Sequence, residues 1–124
     1  MEASPSAATG SAISLHNFSE RIKEQQVHFH VMAMTDCFFL WIGTAPTLSS
    51  LAVAMCNRFD PIPVSTLLLG DRSDTTSNTF AQRLAKKTKK QVFVSYSLPH
   101  SDGNFTLLIE DRIKKEMESF PEKF

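Results

Sequence analysis

The sequence lacks most of the features that would indicate a specialised chemistry or a specialised setting. It contains 2 cysteines in 124 residues, and its 13 basic residues are balanced by 13 acidic ones. Two cysteines are too few to staple a small secreted protein or to complete a zinc site by themselves. A formal charge of zero lacks the basic excess of a nucleic-acid-binding domain, and no apolar run reaches the roughly 20 residues that cross a bilayer. We therefore expect neither a nucleic-acid partner nor a membrane partner.

Motifs for catalysis are also missing. The sequence has no Gly-x-Gly-x-x-Gly fingerprint, no Walker motif and no Gly-x-Ser-x-Gly elbow. His28 and His30, with Cys37 and Cys56, form the only cluster of potential metal ligands, but their spacing is not that of a zinc site. A cysteine nucleophile is conceivable at Cys37 or Cys56, but each lies in an apolar run, where burial suppresses the reactive thiolate. We expect no catalytic residue, no cofactor and no metal.

Length and composition predict one globular domain that follows a flexible tail. Hydrophobic residues make up 42% of the chain and charged residues 21%, both close to the averages for globular proteins. Residues 1–12 are rich in small side chains and lack the basic start and apolar stretch of a signal peptide. We expect a tail over 1–12, a single domain over 13–124, and an intracellular protein of the cytoplasm, with the nucleus as a second compartment.

The hydrophobic periodicity predicts six strands and two helices. We place strands at 14–22, 26–34, 37–42, 51–56, 63–70 and 91–96. The segment 51–56 could also be a buried helix, but its shortness and the flanking prolines favour a strand. One helix, capped by Ser73 or Asp74, ends in the lysine-rich segment 86–90, and another spans about 104–120. The order predicts an α+β fold: a six-stranded antiparallel sheet with two helices packed on one face.

The two clearest strands leave the second face of this sheet without a polar surface. If 26–34 and 37–42 form a hairpin of even loop length, alternate residues share a face. One face then carries Val27, Phe29, Val31, Ala33, Phe38, Leu40 and Ile42, and the other carries His28, His30, Met32, Met34, Cys37, Phe39 and Trp41. A sheet face in water should be polar, whereas aromatic and methionine side chains are typical of protein interfaces. We expect the second set to contact another protein.

Several segments together resemble one known family. They are LHNFS at 15–19, VHFHVM at 27–32, LAVAMC at 51–56, PVST at 63–66, SDTTS at 73–77, QVFVSY at 91–96 and FPEKF at 120–124. Across everything after the first dozen residues, the sequence resembles the proteasome assembly chaperone 4 family of mammals.

This resemblance implies a non-enzymatic chaperone that pairs with proteasome assembly chaperone 3. The pair would hold α-type subunits of the 20S proteasome while their ring forms, and would leave before the particle matures. The resemblance also implies that the second sheet face joins a like sheet in a dimer sandwich. An alternative function is that of a permanent small scaffold or adaptor subunit in another intracellular complex.

A second candidate contact is the basic cluster, which we define as Lys86, Lys87, Lys89 and Lys90. Cations in the last turn of a helix complement its dipole, so the cluster could be a solvated helix end. Because transient complexes tolerate polar contacts, the same lysines are our candidates for the α-subunit contact.

Overall fold

The computed structural model describes residues 13–98 and 103–124, so the predicted tail over 1–12 lies outside the described residues. The described elements are β1 (Ser14–Ile22), β2 (Gln25–Ala33), β3 (Cys37–Gly43), β4 (Leu51–Asn57), β5 (Asp60–Leu69), α1 (Thr76–Thr88), β6 (Gln91–Ser97) and α2 (Gly103–Ser119). A short 3-10 turn, Pro121–Lys123, follows α2. The prediction of six strands and two helices is confirmed, with boundaries shifted by a few residues at most.

The sheet is mixed, so the prediction of a purely antiparallel sheet was wrong. Its six strands lie in the order β1-β2-β3-β6-β4-β5, and β6 runs parallel to β3. The helix α1 carries the chain from β5 back into the middle of the sheet, and this allows a parallel neighbour. β6 is buried along most of its length, which suits a central strand, and it separates β3 from β4. Residues 44–50 bridge this gap.

The predicted division of the β2–β3 hairpin into two faces is confirmed. Phe29 pairs with Ile42 and Val31 with Leu40, and all four side chains are at most 1% exposed. Opposed residues in a ladder share a face, so the two members of each pair lie on the same side of the sheet. That side is the one on which the helices pack. The intervening residues point to the other side.

Both helices pack on that one face, as predicted. α1 contributes Phe80 and Leu84 to the core, and α2 contributes Ile109 and Ile113. α1 contacts β4, β5 and β6, while α2 contacts β1 and the 3-10 turn. No helix within 13–98 and 103–124 is long and apolar enough to span a bilayer.

The start of α1 differs from the prediction. Thr75 is the N-cap, instead of Ser73 or Asp74, and its side chain makes no capping bond. Asp74 instead accepts hydrogen bonds from the backbone N–H and the hydroxyl of Thr76, at 3.1 and 2.7 Å. The acidic side chain therefore organises the turn before the helix, which is a common alternative for aspartate.

A polar network ties the edge strand β1 to α2. His16 on β1 bonds Glu116 on α2 at 2.6 Å, and Arg112 bonds Glu116 at 2.8 Å and Glu20 at 2.9 Å. Burial raises the pKa of Glu116, but the hydrogen bonds and charges of His16 and Arg112 together lower this pKa below its usual value. The network attaches β1, an edge strand with a sheet neighbour on one side only, to α2.

Candidate protein interface

The predicted interface residues all lie on the sheet side opposite the helices, which we call the open face. His30 pairs with Trp41 and Met32 pairs with Phe39 across the hairpin. Met32 is 39% exposed, His28 and His30 are exposed, and Met34, Phe39 and Trp41 are half-buried. The structure thus brings all six predicted residues together, while their contact with a partner stays a prediction.

The open face is apolar well beyond the hairpin. Cross-strand neighbours form a continuous row of Cα partners, one from each strand: Leu15, Met32, Phe39, Phe93, Val53 and Thr66. Five of these six side chains are apolar, and Leu15 is 66% exposed at the edge. Sequence reasoning missed Leu15, Phe93 and Val53, because their positions in the row depend on the order of the strands. The alternation of side chains in β6 indicated which face Phe93 occupies, but it did not indicate which strands flank β6.

A second part of the open face lies on β4 and β5. Met55 pairs with Val64, and these side chains are 49% and 52% exposed. Leu69, opposite Leu51, is 46% exposed. Monomeric proteins rarely leave contiguous apolar patches of this width in water, and such patches mark interaction sites.

A groove of about 730 Å³ opens on this face beside Trp41. Its lining comes from the sheet and from the segment 44–48: His28, His30, Phe39, Trp41, Thr44, Ala45, Pro46, Thr47 and Leu48. Four of the six predicted interface residues therefore lie in one concavity. The groove could not be predicted from the sequence, because its shape depends on where residues 44–50 cross the sheet.

Hydrogen bonds hold the crossing segment in place. The indole N–H of Trp41 donates to the carbonyl of Thr47 at 2.8 Å, and the backbone N–H of Ser49 donates to the Ser97 hydroxyl at 3.2 Å. The buried hydroxyls of Ser50 and Ser77 bond each other at 2.8 Å. The segment is thus attached both to the sheet and to the start of α1.

Gly43 provides the space for the Trp41 ring. A Cβ atom at position 43 would lie 2.5 Å from Cζ2 of Trp41, closer than real Cβ atoms approach other atoms. The indole therefore occupies the volume that a side chain at 43 would need. This close approach explains why the last residue of β3 is a glycine.

The cysteines lie in different surroundings from those expected. Cys56 is exposed and Cys37 is half-buried, so the expected burial of both thiols was wrong. The Cys56 thiol donates to the Ala85 carbonyl at 3.1 Å. His30 pairs with Trp41, which lies four residues along β3 from Cys37. His30 and Cys37 are therefore roughly 13 Å apart along the strand direction. Within the described ranges, no group of three His, Cys, Asp or Glu residues could hold a metal.

The basic cluster is only partly free. Lys86, Lys87 and Lys89 are exposed at the end of α1. Lys90 is half-buried, and its ammonium donates to the backbone oxygen of Phe124. The three exposed lysines therefore carry the positive charge that another protein could contact.

Comparison with known proteins identifies the family. The family model described as Proteasome assembly chaperone 4 matches residues 26–98. The chain is 67% identical over 118 residues to Proteasome assembly chaperone 4 of Mus musculus, covering 95% of this chain and 96% of the mouse protein. It is 68% identical over 117 residues to the Homo sapiens protein of that name, covering 94% and 95%. The chain belongs to the proteasome assembly chaperone 4 family. Membership of an assembly chaperone family implies a non-enzymatic role.

A solved structure shares the fold. It is described as a novel chaperone complex for yeast 20S proteasome assembly, and the likeness covers 87% of this chain and 95% of that chain. The TM-score is 0.57 at 18% sequence identity. At that identity the likeness concerns the fold alone.

Proposed function

We propose that this chain is a non-enzymatic chaperone of 20S proteasome assembly that works as one half of a heterodimer. Its partner is proteasome assembly chaperone 3, and the pair holds α-type subunits until their ring has formed. The observation that carries the proposal is the open face, whose row of cross-strand neighbours is apolar on five of the six strands and is covered by neither α1 nor α2. The family to which the chain belongs supports the same function.

The proposed contact is a sandwich of the open face with a like sheet of the partner. Six strands spaced about 4.8 Å apart give a width of about 24 Å, and seven residues of strand give a length of about 23 Å. The projected area is then about 550 Å², and the accessible area of a corrugated surface is larger. A stable interface needs about 800 Å² per partner, so the contact must use most of the open face.

The α-type subunits need a different surface, because the proposed sandwich consumes the open face. The exposed lysines of the basic cluster lie at the end of α1, on the helix side. Polar contacts suit a client that must be released before the particle matures, because they form fast and separate readily. We propose this cluster as a contact for α-type subunits.

The function is tested by sedimenting cell extracts that contain the tagged chain. We expect the chain in fractions with proteasome assembly chaperone 3 and incomplete α-rings, and its absence from finished particles. A chain that stays in a finished complex would instead be a scaffold subunit, and one that never meets α-type subunits would refute the proposal. Imaging of the tagged chain tests the proposed location in the cytoplasm and nucleus.

A further inference from the structure

The groove beside Trp41 combines apolar walls with a polar end. Phe39 and Trp41 line it from the sheet, and Ala45, Pro46 and Leu48 line it from the crossing segment. β2 adds two imidazoles, His28 and His30. Its volume of about 730 Å³ is in the range of pockets that bury a ligand, roughly 300–1,000 Å³. The groove is therefore large enough for an inserted side chain together with its flanking residues.

The groove is shaped before any partner arrives. The bonds of Trp41 to Thr47 and of Ser49 to Ser97 fix the crossing segment within the isolated chain. A site that is already ordered loses less conformational entropy on binding, so more of the contact free energy appears as affinity. Preformed, well-packed pockets near the centre of an interface are where binding hot spots concentrate.

The hydrogen bonding of His30 specifies what the polar end can accept. Its Nδ1 lies 2.8 Å from the carboxamide oxygen of Asn17. A carboxamide oxygen can only accept, so Nδ1 is the donor in this bond, and in the tautomer with its proton on Nδ1 the other ring nitrogen, Nε2, is an acceptor. The ring also lies against Trp41, with the centroids 5.2 Å apart. An apolar side chain covering this site would leave Nε2 without a donor in a dry contact, which is costly.

We propose that the groove receives an aromatic side chain that carries a hydrogen-bond donor, a tyrosine or a tryptophan, from the partner chaperone. This inference rests on the proposed function and names the anchor of the proposed interface. The aromatic body lies in the groove against Trp41 and the crossing segment, and its O–H or N–H donates to Nε2 of His30. Tyrosine and tryptophan combine an apolar body with a polar tip and are enriched among hot-spot residues. Lysine or arginine would place a charge against the apolar walls.

The test uses Trp41, the only tryptophan in the sequence. The chain is labelled with 5-fluorotryptophan, which gives one ¹⁹F resonance, and is titrated with unlabelled proteasome assembly chaperone 3, while gel filtration reports pairing. We expect a new, shifted resonance in step with complex formation. A complex that forms without any change in the resonance would overturn the inference and leave the proposed function standing. If no complex forms, the proposed function fails and the inference fails with it.

Variants test the chemistry of the anchor. His30→Phe keeps a ring against Trp41 but removes the acceptor, and we expect the partner to bind about tenfold more weakly. Gly43→Ala displaces the indole and should weaken binding at least as much, with the circular dichroism spectrum unchanged. Leu107→Ala, on the exposed surface of α2, is the matched control and should bind normally. Unchanged or tighter binding by His30→Phe would overturn the donor assignment.

A photoreactive benzoylphenylalanine in place of Leu48 identifies the anchor directly. Leu48 lines the groove and is 47% exposed, so the label sits at its mouth. After irradiation of the complex, the partner peptide captured by the label should contain a tyrosine or a tryptophan. Capture of a partner peptide without either residue would overturn the proposal.

Discussion

A single carboxylate placed on either side of β3 gives a direct test of the open face. Phe39 and Leu40 are adjacent in the strand, so they share its position in the sheet. Phe39 is half-buried on the open face, whereas Leu40 is 0% exposed and faces the helices. The variants Phe39→Asp and Leu40→Asp therefore differ mainly in the side of the sheet that receives the charge.

The expected free energies differ between the free chain and the pair. In the free chain, Phe39→Asp keeps its carboxylate hydrated and lowers the free energy of unfolding by about 1 kcal/mol, the span of strand propensities. In the pair, the same carboxylate is desolvated without a partner, and a cost of about 4 kcal/mol raises the Kd roughly a thousandfold.

Leu40→Asp acts on the fold instead. It removes a fully buried leucine, which contributes about 2 kcal/mol, and it buries a charge at a cost of several more. Together these approach the whole stability of a small domain, roughly 5–15 kcal/mol. We therefore expect this variant to be largely unfolded at 25 °C, so that its loss of pairing has a different cause.

Circular dichroism with urea unfolding measures the fold, and isothermal titration with proteasome assembly chaperone 3 measures pairing. Phe39→Asp should be folded and unable to pair, and Met32→Asp should repeat this result at the neighbouring cross-strand position. Normal pairing by both variants would show that the open face is not the interface. A folded Leu40→Asp that loses only the partner would show that the two faces have been assigned in reverse.

Three further predictions concern other parts of the chain. Lys23 and Glu24 form the β1–β2 turn with φ of 47° and 67°, so Lys23→Asn with Glu24→Gly should raise the free energy of unfolding by about 1 kcal/mol, whereas Lys23→Ala should not. Glu116→Gln should lower that free energy by about 2 kcal/mol at pH 7. The folded-state pKa of Glu116 is lowered, so the stabilisation that its carboxylate provides is complete above the usual carboxyl range and is lost as the pH falls through the folded-state pKa. The urea midpoints of the wild type and the variant should therefore converge in acid. A difference between the midpoints that stays constant with pH would contradict this prediction. Reversing the charge of the three exposed lysines of the basic cluster should weaken α-subunit binding about tenfold at low salt and leave the chaperone pair intact; unchanged binding would make the cluster a solvated helix end.

Local pattern determined which residues of the hairpin share a face. The side chains of a strand alternate with a period of two, so the sequence from Val27 to Trp41 already separated the core from the open face. Helix periodicity in the same way placed Phe80, Ile109 and Ile113 in the core. These features depend on neighbours in the chain, and this is why they could be predicted.

Only the tertiary structure decided what depends on distant parts of the chain. The insertion of β6 between β3 and β4 places Phe93 beside Phe39 and Val53, and so extends the apolar row across the sheet. The path of residues 44–50 over the sheet creates the groove beside Trp41. No periodic pattern encodes strand order or the course of a loop, because both are set by packing between segments far apart in sequence. The sequence by itself therefore determined the two faces of the hairpin, and the tertiary structure determined the extent and shape of the surface offered to a partner.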